Sequence, residues 1–292
     1  MTLSERIKDH YEDRYKTKLM RGAITFLRLD GKSFSKFTEG LNKPFDEGFS
    51  DDMDMTAKFL CENIQGAKFA YTQSDEITVV LTDYDTLETQ AWFDYEVNKM
   101  ISISASLATG RFNQLRIKRD FDKNIEFYRS EYMESSVIRD FNLGFFDSRP
   151  FQVPNVEEMI NVLIWRQQDC TRNSVSMAAT EYLGHKATVG KSGAEKQEML
   201  FTQKGINWND YTFGEKRGRF IIKNTYWNNE LVVERNTYTD PFDNVTELRT
   251  ENIVKNGDKY LNLDGLEFKP IIRTKWEVVE TPLTFNNDNF KQ

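Results

Sequence analysis

The sequence predicts an α+β fold, an antiparallel ferredoxin-like sheet with helices on one side, followed by a β-rich C-terminal extension. Three observations predict it. Residues 23–109 read as β-α-β-β-α, most of a split β-α-β unit. Within that unit the helices carry apolar residues at 3-4 spacing, while the strands are short and rich in β-branched residues. After residue 218 the chain changes to short apolar runs separated by Asn- and Asp-rich turns.

Residues 4–20 open the chain as a polar helix, with Tyr11 and Tyr15 at i, i+4. Residues 23–30 form the first strand through Ile24, Phe26 and Leu29, and Gly31 ends it. Asp46 caps a helix through residue 64 whose face is Phe49, Met53, Ala57, Leu60 and Ile64. A hairpin follows, with strands over 68–72 and 77–81 and Gln73-Ser74-Asp75-Glu76 at its tip. The clearest amphipathic helix is 90–109. Its stripe is Trp92, Phe93, Val97, Met100, Ile101, Ser104, Leu107 and Ala108, and Gly110 is its stop. Residues 111–150 read as loop-rich and end in Phe145-Phe146-Asp147-Ser148-Arg149-Pro150. Asn155, with Glu158 three residues on, starts a long helix or helix pair to about Tyr182, terminated by Gly184. Val156, Met159, Ile160, Leu163 and Ile164 are its buried stripe. Phe220-Ile221-Ile222, Leu231-Val232-Val233 and Trp276-Glu277-Val278-Val279 read as strands. Three stretches follow from this order: 1–145, a sheet-bearing domain; 146–222, its helical, finger-like continuation; and 223–292, the β-rich extension.

The bulk numbers narrow the function. Of the 292 residues, 29% are charged and 39% hydrophobic, an ordinary mix with material for a core. No run of about 18 apolar residues occurs, and Met1 to Arg6 lacks an apolar leader, so no membrane partner is expected and the default address is the cytoplasm. Cys61 and Cys170 alone do not make a secreted disulfide framework. The formal charge of −7 argues against non-specific DNA coating but leaves room for local basic patches. Two are candidates: Arg111, Arg116, Lys118 and Arg119, and Lys216-Arg217-Gly218-Arg219, each equally readable as a solvated face.

Asp30 ends the first strand and Asp75 sits at the hairpin tip. In a ferredoxin-like sheet these strands are neighbours, so the two carboxylates meet at one edge, as in polymerase palms, which use this architecture. Mg²⁺ takes hard oxygen ligands, commonly one or two protein carboxylates with the rest from phosphates and water, and a pair of ions suits attack at phosphorus. Gly31 lets backbone approach a ligand closely, and the amides of Gly31, Lys32, Ser33 and Phe34 are placed to face a triphosphate. Glu76 points to the opposite strand face from Asp75, as a group supporting the site or as a structural one. Taken alone, Asp-Gly and Ser-Asp-Glu are ordinary turn chemistry; only their joint placement favours catalysis.

Other groups carry less. His10 and His185 lack metal-ligand spacing. Gly190-Lys191-Ser192-Gly193 lacks the strand and upstream glycine of a Walker loop. Lys43, Arg149, Lys191 and Lys196 are phosphate ligands in type only.

Several blocks, taken together and in order, resemble the tRNA(His) guanylyltransferases and their bacterial, archaeal and viral relatives. Leu27-Arg28-Leu29-Asp30-Gly31-Lys32-Ser33-Phe34-Ser35-Lys36-Phe37-Thr38 is similar to that family's opening signature. Lys43-Pro44-Phe45-Asp46, Gln73-Ser74-Asp75-Glu76 and Phe146-Asp147-Ser148-Arg149 follow, then Trp165-Arg166-Gln167-Gln168-Asp169-Cys170 and Lys196-Gln197-Glu198-Met199-Leu200-Phe201, together covering about residues 5–222. The resemblance implies a palm-type nucleotidyltransferase that extends tRNA at its 5′ end, in the 3′→5′ direction. A nucleoside triphosphate, ATP or GTP, activates that end, and the 3′-hydroxyl of the incoming nucleotide then attacks. It implies two Mg²⁺ held by Asp30, Asp75 and the Gly31 carbonyl, with Glu76 in support. It places Lys43, Asp46, Ser74 and Arg149 on the nucleotide, and Asn173, Lys196 and Glu198 along the RNA path or outer site. It further implies a homo-oligomer, a tetramer by family habit.

Two departures matter. Thr171-Arg172-Asn173-Ser174 stands where enzymes adding one G to tRNA(His) carry His-x-Asn-Asn, which favours the relatives that repair truncated 5′ ends on a template. Phe45 replaces an Asn. Competing readings are another palm enzyme (a cyclase or a 5′→3′ polymerase), which would lack the Trp-Arg-Gln-x-Asp-Cys block, and a catalytically silent RNA-binding protein, which would not need Asp30, Asp75 and Glu76 together.

Overall fold

A computed structural model describes residues 1–123, 142–231, 238–239, 245–246 and 268–280, with side chains at 1–123, 142–224 and 274–280. In chain order the helices are α1 (Leu3–Ile7), α2 (Phe34–Phe37), α3 (Glu47–Asn63), α4 (Val97–Lys123), α5 (Val156–Leu183), α6 (His185–Thr188), α7 (Gly193–Lys204) and α8 (Phe213–Arg217). The strands are β1 (Ile24–Gly31), β2 (Ala67–Gln73), β3 (Glu76–Leu81), β4 (Phe146–Val153), β5 (Arg219–Leu231), β6 (Tyr238–Thr239), β7 (Val245–Thr246) and β8 (Phe268–Val279). By contacts the chain divides into two units, Met1–Lys223 with Trp276–Gln292, and Asn224–Lys275.

A six-stranded sheet of order β4-β1-β3-β2-β5-β8 is the core of the fold. β1 lies antiparallel between β3 and β4, so the expected β-α-β-β-α unit closes with its first strand beside its hairpin. Alternation sorts the strands into two faces. Leu27, Leu29, Ile77, Val79 and Leu81 form one face with Met53, Ala57 and Leu60 of α3 and Met100, Ala108 and Phe112 of α4. The expected one-sided helix layer is this one. The other face, with Ile24, Phe26, Tyr71, Val80 and Phe220, receives Met159 and Leu163 from the first half of α5, so helices cover both sides.

Three local expectations change. Gly110 does not stop the helix: no atom lies within 4 Å of where its Cβ would stand, and α4 runs on through buried Phe112. Arg116 and Arg119 then reach Asp52 of α3 at 3.0 and 2.9 Å, so this basic stretch is mostly spent inside the chain. The helix also starts later than residue 90, because Phe93, Asp94 and Tyr95 have positive φ. At the N-terminus, α1 passes into a π turn and a 3-10 turn and ends at Tyr15, short of residue 20, with no buried residue to hold it.

Of the stretch expected to be loop-rich, residues 111–123 belong to α4, residues 124–141 lie outside the described residues, and Phe146 to Pro150 are in strand β4. As the sheet's edge strand it tolerates a proline, which has no amide to donate. Residues 155–182 form one helix. Asn155 accepts from the Glu158 amide and Gly184 ends it at φ 82°. Ile164 of its expected buried stripe is exposed, while Met159 and Leu163 are buried. Val232 and Val233, expected in a strand, lie outside the described residues, as do residues 286–292.

Candidate active site

The register of the sheet builds the site. Asp30 stands opposite Glu76 on β3 and opposite Asp147 on β4, so three carboxylates share one row across three strands. Asp75 lies in the turn just before β3, and its carbonyl accepts from the Gly31 amide at 3.1 Å. Asp30 and Asp75 are thereby joined at one sheet edge by backbone. Like charges in adjacent register positions repel. Burial, then the charge of Glu76 and that of Asp147, push the Asp30 carboxyl above its ordinary value against the pull of Arg28 and Arg149. Burial first, with Asp30 and Glu76 adding, does the same to Asp75, although its own amide and the Ser74 hydroxyl, 3.0 Å away, oppose it.

Three cations answer the row. Arg149 Nη2 lies 3.0 Å from Asp147 and 3.6 Å from Asp30. Arg28 Nη2 donates to Glu76 Oε1 at 2.6 Å, and Arg166 Nη2, from α5, donates to Glu76 Oε2. Arg166 also reaches Asp169 at 2.9 Å. Burial works against Asp169, yet hydrogen bonding from Arg172 and the Arg166 charge hold its carboxyl below the ordinary value. Arg28 and Arg166 stood in the sequence only as members of family-like blocks; Arg28 meets Glu76 across the β1–β3 pairing, whereas Arg166 meets it because α5 crosses the sheet, which no local pattern states.

Beside the row opens a cleft of about 520 Å³ lined by Gly31, Ser33, Phe34, Lys43, Ser74, Asp75 and Met177, among others. An adjoining pocket is walled by Lys43, Asp46, Gln73, Asn173, Met177 and Arg219, among others. Most of the expected nucleotide-binding set is therefore gathered in one place. Lys32 and Arg149 are in neither lining, nor are Asp30 and Glu76, and the amide cradle is smaller than expected. The Gly31 amide serves Asp75 and the Lys32 amide donates to the Phe145 carbonyl at 2.8 Å, which leaves Ser33 and Phe34. The glycine at 31 answers to packing: a Cβ there would stand 2.4 Å from the Phe34 ring. Asp46 has a second duty, since its carboxylate caps α3 through the Phe49 amide at 2.7 Å. Phe45 packs edge-on against Tyr211 at 5.1 Å.

The outer residues separate. Asn173 lies on α5 in the pocket wall, 3.4 Å from Asp169. Lys196 of α7 donates to Ser176 at 3.0 Å and Glu198 is exposed; neither lines either cavity. The second basic stretch is also tied inward, with Arg219 on buried Asp54 at 2.6 Å and Arg217 on Thr171 at 3.3 Å.

Two carboxylates raised by burial and by neighbouring negative charge offer hard oxygens of the kind a divalent cation takes. Among the described residues no group of three or more His, Cys, Asp or Glu side chains forms a cage, so phosphate and water oxygens would complete any such shell.

Known proteins resemble this chain in sequence and fold. Residues 4–154 match the model of the family described as tRNAHis guanylyltransferase (Thg1). An uncharacterised protein of Acanthamoeba polyphaga mimivirus is 31% identical over 231 residues, 76% of this chain and 77% of that one. A bacterial tRNA(His) guanylyltransferase-like protein solved with ATP is 39% identical, with a TM-score of 0.65 over 76% of this chain and 88% of that one. A bacterial tRNA(His) guanylyltransferase-like structure with GTP is 31% identical, with a TM-score of 0.65 over 96% of this chain and 92% of that one. The sheet edge, the cleft beside it and these likenesses agree: the chain belongs to the tRNA(His) guanylyltransferase family of nucleotidyltransferases.

Proposed function

We propose that this protein adds nucleotides to the 5′ end of tRNA in the 3′→5′ direction, with ATP or GTP to activate that end and nucleoside triphosphates as added substrates. The observation that carries it is the backbone-joined Asp30–Asp75 edge opening onto a cleft lined by Gly31, Ser33, Lys43 and Ser74. Asp30, Asp75 and the Gly31 carbonyl would hold two Mg²⁺, which supply Lewis-acid stabilisation of charge on phosphorus and on the attacking oxygen. Lys43 and the Ser33 and Phe34 amides orient the triphosphate; Asp46 and Asn173 flank the nucleoside in the adjoining pocket. Arg149, half-exposed beside Asp30, meets phosphate oxygens at the open side. Lys196 and Glu198 lie toward the RNA. A homo-tetramer and a cytoplasmic address belong to the same proposal.

Template-directed repair of truncated 5′ ends fits better than addition of a single G to tRNA(His). The Thr171 hydroxyl is within hydrogen-bond reach of the Gln167 and Lys216 carbonyls, at 2.9 and 3.2 Å. It is engaged inside the chain rather than presented to RNA. The test incubates a 5′-truncated tRNA transcript, as monophosphate and as triphosphate, with Mg²⁺ and nucleoside triphosphates. The expected product grows at the 5′ end by nucleotides that pair with the 3′ half of the acceptor stem. No extension on any tRNA overturns the proposal.

A further inference from the structure

We infer that Arg166 is a positioning residue: clamped beneath Trp165, it fixes the Glu76 carboxylate beside the Asp30–Asp75 edge and so sets how that edge holds a divalent cation. The inference rests on the proposed function for its kinetic arm only.

Glu76 is fully occupied. Its Oε1 takes Arg28 at 2.6 Å, and its Oε2 takes both Arg166 and the Gln73 amide, the latter at 2.9 Å. A carboxylate with three donors on two oxygens has little left for a cation. Glu76 therefore acts as held negative charge in the register position next to Asp30 rather than as a further ligand. Arg166 is 2% exposed, and its guanidinium lies 4.5 Å from the centre of the Trp165 ring. Asp169, one turn on, accepts from the same Nη2 at 2.9 Å, so that one nitrogen is held between two carboxylates. The clamp thus connects α5 to the catalytic edge of the sheet.

The network is not what stability alone would select. Arg166 Nε, Arg28 Nε and Gln73 Oε1 are buried without a hydrogen-bond partner among the described residues. Buried polar groups are ordinarily satisfied, and orphans collect where function imposes the arrangement. The clamp also has a sign. Removing Arg166 deletes a positive charge next to the acid row and leaves Glu76 Oε2 held by the Gln73 amide alone. Cations should then bind more tightly but in the wrong geometry.

The test measures Mn²⁺ affinity by calorimetry, which needs neither RNA nor turnover, together with 5′-extension kinetics. For Arg166→Met we expect Mn²⁺ to bind about threefold or more tightly. Its kcat should fall about 100-fold with KM for the nucleotide little changed. Arg166→Lys keeps the charge without the fork. It should bind Mn²⁺ as wild type does and lose only about tenfold in kcat. Weaker Mn²⁺ binding in Arg166→Met, or kcat within threefold of wild type, overturns the inference. Should Arg166→Met fail to fold, Arg166→Lys carries the test, and unchanged kcat there overturns it. A wild-type protein that extends no RNA but shows the Mn²⁺ shift sinks the proposed function while the clamp stands.

Discussion

Asp52 and Glu76 are each gripped by two arginines, and they sit in opposite settings. Asp52 of α3 is 2% exposed and takes Arg116 and Arg119 from α4. Glu76 of β3 takes Arg28 from the sheet and Arg166 from α5. Around Asp52 the neighbours are two helices with a shared apolar seam, and the pairs bolt that seam. Around Glu76 lie Asp30, Asp75 and Asp147, so the same chemistry is set against three more negative charges. The first arrangement holds a layer together; the second holds apart groups that would otherwise spoil one another's geometry.

Substitutions can break this contrast. The largest effect is expected at the edge itself: Asp30→Ala and Asp75→Ala should each lower 5′-extension by about 1000-fold, with circular dichroism unchanged. Near-normal turnover in either would remove it from the metal proposal. Asp52→Asn should do the reverse. It leaves Arg116 without its charge partner and Arg119 with Asp51 alone, at 3.7 Å, and should cost about 3 kcal/mol in urea unfolding, while the folded fraction keeps its turnover.

Asp75→Asn sharpens the comparison through pH. A carboxyl raised in the folded state opposes folding once it ionises. Its penalty is absent below the ordinary carboxylate range and grows as pH rises through the raised value. Without divalent cations the variant should therefore melt higher than wild type at pH 7, and the gain should vanish in acid. A gain that persists in acid would assign the effect to packing instead. The smallest effect is expected at Gly110→Ala. The space is open and the helix continuous, so the change should stabilise by about 0.5–1 kcal/mol. Destabilisation would mean that residues 111–123 do not belong to α4.

Much of the fold was legible because its signals are local and periodic. Asp46 and Asn155 cap the helices expected of them, and the 67–81 hairpin and the β1 edge follow from alternation. What was not legible depends on pairing at a distance. Gly110 looked like a stop because propensity ignores the tie between Arg116, Arg119 and Asp52. The strand at Phe146–Val153 was hidden because Pro150 discourages a strand reading until its edge position is known. At the site, Asp30 and Asp75 could be brought together from strand order alone. The contact of Glu76 with Arg166 required the crossing of α5, a tertiary fact without a short-range trace.

That helix is a ruler. Its 28 residues span roughly 42 Å as one unbroken rod. Arg166 and Asn173 lie seven residues apart, about two turns or 10 Å along the axis and close to the same side. The distance between the grip on the acid row and the wall of the adjoining pocket is thus set by covalent geometry rather than by loops. A nucleoside that presses on Asn173 and a phosphate group held near Asp30 would be gauged against the same rigid scale.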